Sequence, residues 1–119
     1  MAKILVVDDN EFVREANRQV LENHGHQVVT AENGEEALDK FKQASQEGQK
    51  NFDVVLTDNK MPGMDGVNLA QAIHLLREQT PVILMTGMME NFEGVNAVLP
   101  KPSENRLLVG IVEALSTKS

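Results

Sequence analysis

Short aliphatic runs alternate along this chain with stretches whose apolar residues recur at helical spacing, and that alternation leaves few ways to fold. Lys3-Ile4-Leu5-Val6-Val7 is almost continuously aliphatic, as expected for a strand buried on both faces of a parallel sheet. Residues 11–24 follow, with Val13, Ala16, Val20 and Leu21 on one helical stripe and Gly25 as a stop. Gln27-Val28-Val29-Thr30-Ala31 reads as a second strand, Asn33-Gly34 as a turn, and Ala37, Leu38, Phe41 and Ala44 as the next helical stripe. A polar loop over 45–51 leads into a third strand over 52–57. Met61-Pro62-Gly63-Met64-Asp65-Gly66 then breaks the chain ahead of a helix marked by Leu69, Ala70, Ile73 and Leu76. Residues 81–85 form a fourth strand, with Pro81 at its edge where a missing N–H is tolerated. Ala97-Val98-Leu99 is a short fifth strand, and Leu107, Leu108, Ile111, Val112 and Leu115 mark the last helix. Residues 87–94 are too few for a good helix and are expected to form a loop or a single turn. Strands joined through helices imply right-handed crossovers and a parallel sheet. The expected fold is a doubly wound, three-layer α/β sandwich in one domain, 1–119, without repeats.

Composition narrows the function. A length of 119 residues supports a real core without staples, and the absence of cysteine rules out disulfides and thiolate metal sites. No apolar run approaches the ~20 residues that span a bilayer. The N-terminus lacks the pattern of a signal peptide, so a cytoplasmic protein with no membrane contact is expected. A net charge of −7 argues against direct nucleic-acid binding and favours cationic ligands or basic partner surfaces.

In open α/β sheets, ligands bind beyond the carboxyl ends of the strands. Read together, those ends carry Asp8-Asp9, Asp58, Thr86 and Lys101. Clustered carboxylates repel one another unless a cation neutralises them. Carboxylate and carbonyl ligands suit Mg²⁺, which keeps several waters and shares its shell with phosphate. A lysine beside such a site is a point charge for phosphate oxygens, and a threonine hydroxyl is a further donor. That set points to phosphoryl transfer onto a carboxylate, a reaction governed by positioning and charge neutralisation.

With these motifs in hand, the sequence resembles the receiver domains of two-component response regulators. The likeness rests on Ile4-Leu5-Val6-Val7-Asp8-Asp9-Asn10, the stretch from Asp58 to Gly66, Met85-Thr86-Gly87 and Lys101-Pro102, which occur in order across nearly the whole chain. The resemblance implies that Asp58 accepts a phosphoryl group from a sensor histidine kinase, a phosphotransfer protein or a small phosphodonor. It implies Mg²⁺ bound by Asp9 directly, by Asp8 through water, by Asp58 and by the backbone carbonyl of Lys60. Thr86 becomes the switch hydroxyl, and Lys101 pairs with Asp58 and then with the phosphate, its bond to Pro102 often being cis. The implied strand order is 2-1-3-4-5.

Three departures from the family pattern stand out. The aromatic usually placed three residues before the lysine is Val98 here, so the readout of switching is expected to differ, unless Val98 is simply a core strand residue. The stretch 86–94 is about two helical turns short at ~3.6 residues per turn. That removes much of the family's helix between the fourth and fifth strands, so 88–93 is expected to be mobile or differently packed. Lys60 and Met88 occupy the variable positions flanking the acceptor, and altered self-dephosphorylation is expected from them.

Plainer readings sit beside these. Asp8-Asp9 could cap the following helix, and Asp65 is expected to cap its own. His24, His26 and His74 lack metal spacing and read as surface or boundary residues. The methionines read as gap fillers, with Met88, Met89 and Phe92 as an alternative apolar patch for a partner. The leading expectation is a signalling switch, not an enzyme acting on external substrates. It would stand alone or be excised from a longer regulator, acting on a partner or on an attached output domain. A phosphorylation-independent docking module is the first alternative. A Mg²⁺-dependent phosphohydrolase is the second, and Lys60 argues against it because such enzymes commonly carry an acid two residues after the nucleophile.

Overall fold

A computed structural model describes residues 1–46, 48, 50–88 and 92–116. Five strands, β1 (Lys3–Val7), β2 (Gln27–Ala31), β3 (Val54–Asp58), β4 (Val82–Thr86) and β5 (Ala97–Pro100), form one parallel sheet in the order β2-β1-β3-β4-β5. Helices α1 (Glu11–Asn23), α2 (Gly34–Gln46), α3 (Gly66–Leu76) and α4 (Asn105–Ser116) cover it. The expected doubly wound sandwich and its strand order are both present.

Period-two alternation sorts the strands onto two cores. Leu5, Val7, Val55 and Val82 face one side, where Phe41 of α2 and Leu69 and Ile73 of α3 close over them. Ile4, Val6, Leu56 and Ile83 face the other, against Leu21 of α1 and Leu108 and Val112 of α4. All five residues of β1, β3 and β4 are buried, which is why those strands read as continuous aliphatic runs, whereas edge strand β2 buries fully only Ala31.

The ends of the helices follow from local chemistry. Asn10 caps α1, its side chain accepting from the N–H groups of Phe12 and Val13. The chain leaves α1 through Gly25 at φ +87, whose N–H reaches Glu22 O while His26 N–H reaches Leu21 O. That pair of bonds satisfies two terminal carbonyls, and the left-handed turn favours glycine. Asp65 caps α3 as expected, accepting from Asn68 N–H at 2.8 Å.

Boundaries differ from the sequence reading in four elements. β3 begins at Val54 rather than residue 52. Phe52 instead stacks on Phe41, with ring centroids 6.1 Å apart, and lies 4.7 Å beneath Lys3 Nζ, while the Asp53 carboxylate accepts from Lys3 N–H. These two side chains anchor the start of β1. β4 and β5 each run one residue further, to Thr86 and Pro100, and α2 continues to Gln46, shortening the expected loop. Between β4 and β5 no helix occurs among the described residues, and Gly94 turns at φ +83. The mobility expected of 88–93 spans residues 89–91, which lie outside the described residues. Of the suggested apolar patch, Met88 is exposed, Phe92 is half-buried and Met89 lies outside the described residues.

His26 is more than a boundary residue. It accepts from Ala2 N–H at Nδ1 and pairs with Glu113 at Nε2, tying β2 to both termini of the fold. No helix among the described residues is long and apolar enough to cross a membrane.

Leu56 is buried in a central strand, so Leu56→Ala leaves a cavity the sheet cannot collapse into. It is expected to lower stability by about 2–5 kcal/mol, read as a reduced urea midpoint at unchanged slope.

Candidate functional site

The carboxyl ends of β1 and β3 and the segment after β5 converge on one rim. Asp8 follows β1 directly and Asp58 closes β3, both buried, while Asp9 is exposed. One oxygen from each of Asp8, Asp9 and Asp58 lies within 4.8 Å of the others. Because Asn10 supplies the α1 cap, neither Asp8 nor Asp9 is consumed by capping. The Asp8 side chain does accept locally, from Asn10 N–H at 2.9 Å through Oδ1. Its other oxygen faces the site.

Lys101 completes the arrangement. Its ammonium lies 3.0 Å from Asp8 Oδ2 and 3.2 Å from Asp58 Oδ2, and the peptide bond to Pro102 is cis. Lys101 N–H donates to Thr86 O, so the lysine is carried by the β4–β5 register. Three carboxylates against one ammonium leave the rim net negative. Hard oxygen donors this close together match the chemistry of a small divalent cation such as Mg²⁺.

Burial raises the Asp58 carboxyl above the usual aspartate range, the neighbouring Asp8 charge adds to that, and Lys101 opposes both. Burial by itself would pull the Lys101 ammonium down. Its bonds and charge interactions with Asp8, then with Asp58, outweigh that effect and hold it above the usual lysine range.

Thr86 ends β4 beside this cluster, buried. Its hydroxyl oxygen accepts from Met88 N–H at 3.1 Å, a local turn after the strand. Lys60 is exposed in the loop after Asp58, and Val98 is a half-buried strand residue opposite Leu84.

The loop after Asp58 is held from both sides. Gly66 N–H donates to Asn59 O, and a Cβ on Gly66 would fall 2.5 Å from both Asp58 O and Leu84 Cδ1. Only glycine lets α3 start this close to the end of β3. Glu35, in the first turn of α2, accepts from Met64 N–H, and Gly34 packs against Met64.

Sequence reasoning placed Asp8, Asp9, Asp58, Thr86 and Lys101 on one rim but missed three supports. Asn10 as the true cap was legible from its position before a helical stripe. Gly66 reads in the sequence as part of the loop after Asp58 and the start of the third helix, with no sign of how closely the two approach. Arg14, whose guanidinium donates to Asp8 O at 2.9 Å, carries no sequence signal that separates it from Arg18 one turn on, which pairs with Glu22 instead.

Comparison with known proteins bears on this geometry. The family model for the response regulator receiver domain matches residues 4–113. The chain is 36% identical to the transcriptional regulatory protein ResD of Bacillus subtilis over 120 residues, covering 95% of this chain and 47% of ResD. It spans about half the length of the curated relatives it matches first. A response regulator receiver domain from Clostridium thermocellum superposes with a TM-score of 0.89 at 30% identity, covering 99% of this chain and 96% of that one. The response regulator TrrA of Thermotoga maritima, solved in complex with Mg(2+)-BeF, superposes at 0.83 and 32% identity, covering 97% and 99%.

A carboxyl that holds its proton more tightly in the folded chain than in the unfolded one favours folding at acid pH. That advantage is lost as pH rises through its raised value. Asp58→Asn removes the resulting repulsion. In buffer free of divalent ions at pH 7, it is expected to raise the melting midpoint by a few degrees; ~1 kcal/mol would correspond to about 4 °C in a domain of this size. The gain should shrink on acidification toward the carboxylate range. A variant less stable than wild type at pH 7 would contradict this balance of charges.

Proposed function

The chain belongs to the response regulator receiver domain family, and from that premise we propose that residues 1–119 act as a phosphoacceptor switch with Asp58 as the acceptor. The observation that carries the reading is the Lys101 ammonium shared between Asp8 and Asp58, with Asp9 completing a tight set of oxygens. In the proposed step an Asp58 carboxylate oxygen attacks the phosphorus of a phosphohistidine. The P–N bond breaks, the imidazole leaves, and an acyl phosphate remains on Asp58. Asp8, Asp9, Asp58 and the backbone carbonyl of Lys60 would hold Mg²⁺, which supplies charge neutralisation at the phosphoryl oxygens. The Mg(2+)-BeF named for TrrA supports that assignment by analogy.

This chain's own groups do the rest. Lys101 sits where its ammonium can pass from the free carboxylates to a phosphoryl oxygen. The Thr86 hydroxyl, at the end of the neighbouring strand, is the donor able to follow that charge. Its bond from Met88 N–H would then be released, coupling the acceptor to the segment after β4. Val98 has no polar tip to follow Thr86 inward, so the output signal runs through backbone and packing shifts near β5. Lys60 and Met88, both exposed near the acceptor, are placed to tune how water reaches the acyl phosphate.

The phosphoryl donors are a histidine kinase or a phosphotransfer protein, acting in the cytoplasm. The receiver of the signal is a partner protein or an attached output domain. ResD is named a transcriptional regulatory protein, so a DNA-binding output joined to this unit is one form such a domain could take. The unit itself, at net charge −7, is not the nucleic-acid-binding part. A docking module without phosphorylation would need none of the Lys101 bridge. A phosphohydrolase would lack its second acid, because Lys60 stands there.

Incubation with acetyl phosphate and Mg²⁺ is expected to add a single phosphoryl group to the wild type by intact mass and none to Asp58→Ala. No adduct on the wild type, or an equal adduct on the variant, would overturn the assignment.

A further inference from the structure

Arg14 is a cation placed behind an acidic site that has no direct use for it. Its side chain is 11% exposed, nearly as hidden as that of Asp58. From the second turn of α1 it reaches back past the cap, and Nη1 donates to the Asp8 backbone carbonyl at 2.9 Å. Nη2 lies 3.8 Å from Glu32 Oε1, just after β2. That second contact is long, and Glu32 is largely exposed, so the Asp8 bond is the dominant one. Asp8 N–H in turn donates to Ala31 O at 3.2 Å. Both backbone polar groups of Asp8 are therefore pinned, one to β2 and one to α1.

We propose that Arg14 is a positioning residue for the divalent-cation site, fixing the Asp8 peptide so that the Asp8 and Asp9 carboxylates face Asp58. The inference rests on the reading of these carboxylates as the Mg²⁺ ligands. The Asp8 carbonyl belongs to the peptide that joins the two acids, so its direction sets where the Asp9 backbone leaves the sheet. Asp9 is exposed, so the course of its backbone bears directly on where its carboxylate lies. A planar guanidinium holds such a carbonyl with a fixed direction, which a lysine ammonium does not. Groups that orient metal ligands typically change metal affinity by about 10–100-fold when removed.

The sign of the effect separates positioning from simple charge. Arg14 is positive and close to the site, so by Coulomb's law alone its neutralisation would tighten the binding of a cation. Positioning predicts the reverse. A purely structural role would lower stability and leave cation affinity alone.

The test is calorimetric titration of the full chain with MgCl₂ at fixed ionic strength. Arg14→Met keeps the aliphatic stem and removes charge and donors; the control, Arg18→Met, removes a half-buried arginine paired with Glu15 and Glu22. The expected result is a Mg²⁺ Kd about 10-fold higher in Arg14→Met and unchanged in Arg18→Met. A Kd in folded Arg14→Met equal to or below that of wild type overturns the proposal. If Arg14→Met does not fold, Arg14→Lys carries the test. It retains the charge, and its Kd is expected to rise by less; a Kd equal to that of wild type overturns the proposal. A wild type that takes up no Mg²⁺ would instead overturn the reading of the carboxylates on which the inference rests.

Discussion

One ammonium joins parts of the chain that are distant in sequence. Lys101 Nζ touches the carboxylates of Asp8 and Asp58, so the segment after β5 is tied to the ends of β1 and β3. Two carboxylates share that ammonium with a third, Asp9, beside them, and the remaining negative charge is what the rim offers to a ligand. Like charges gathered at one place oppose folding, and only a rigid frame keeps them together. The parallel sheet is that frame. Its register sets Asp58 opposite Met85 and Thr86 opposite Pro100, one residue before Lys101.

The frame itself is a consequence of packing on both faces. Ile4 and Val6 point into one core and Leu5 and Val7 into the other, so β1 cannot slip by one residue without exchanging the two. That precision reaches the rim because Asp8 comes immediately after Val7. Gly66 plays the corresponding part at Asp58. Its missing side chain lets α3 begin against the Asp58 peptide, and the Gly66 N–H bond to Asn59 O holds the loop there.

Much of this was legible in the sequence. The central strands announced themselves because burial on both faces demands aliphatic residues at every position, and the chemical residues stood at their carboxyl ends. Boundaries were harder to read where one side chain serves two tasks. Phe52 looks like a strand residue but packs on Phe41 and under Lys3, so β3 starts later. The supports of the site were the least legible. Arg14 and Arg18 lie on the same helix with similar neighbours in sequence, and only the three-dimensional path of α1 turns one toward Asp8 and the other to Glu15 and Glu22. His26 likewise has no metal spacing, yet it bonds to Ala2 and Glu113 across the amino ends of the strands.

If one small divalent cation completes the charge set of the rim, the folded state gains stability from that ion. The sharpest test is the melting midpoint as a function of Mg²⁺ at constant ionic strength, for wild type and for Asp9→Asn, a change at an exposed carboxylate outside the core. A ligand at 100 times its Kd adds about 2.7 kcal/mol to the folded state. The expected result is a saturable rise of several degrees for wild type and a much smaller one for Asp9→Asn. Equal shifts in the two proteins, or no shift in either, would contradict it.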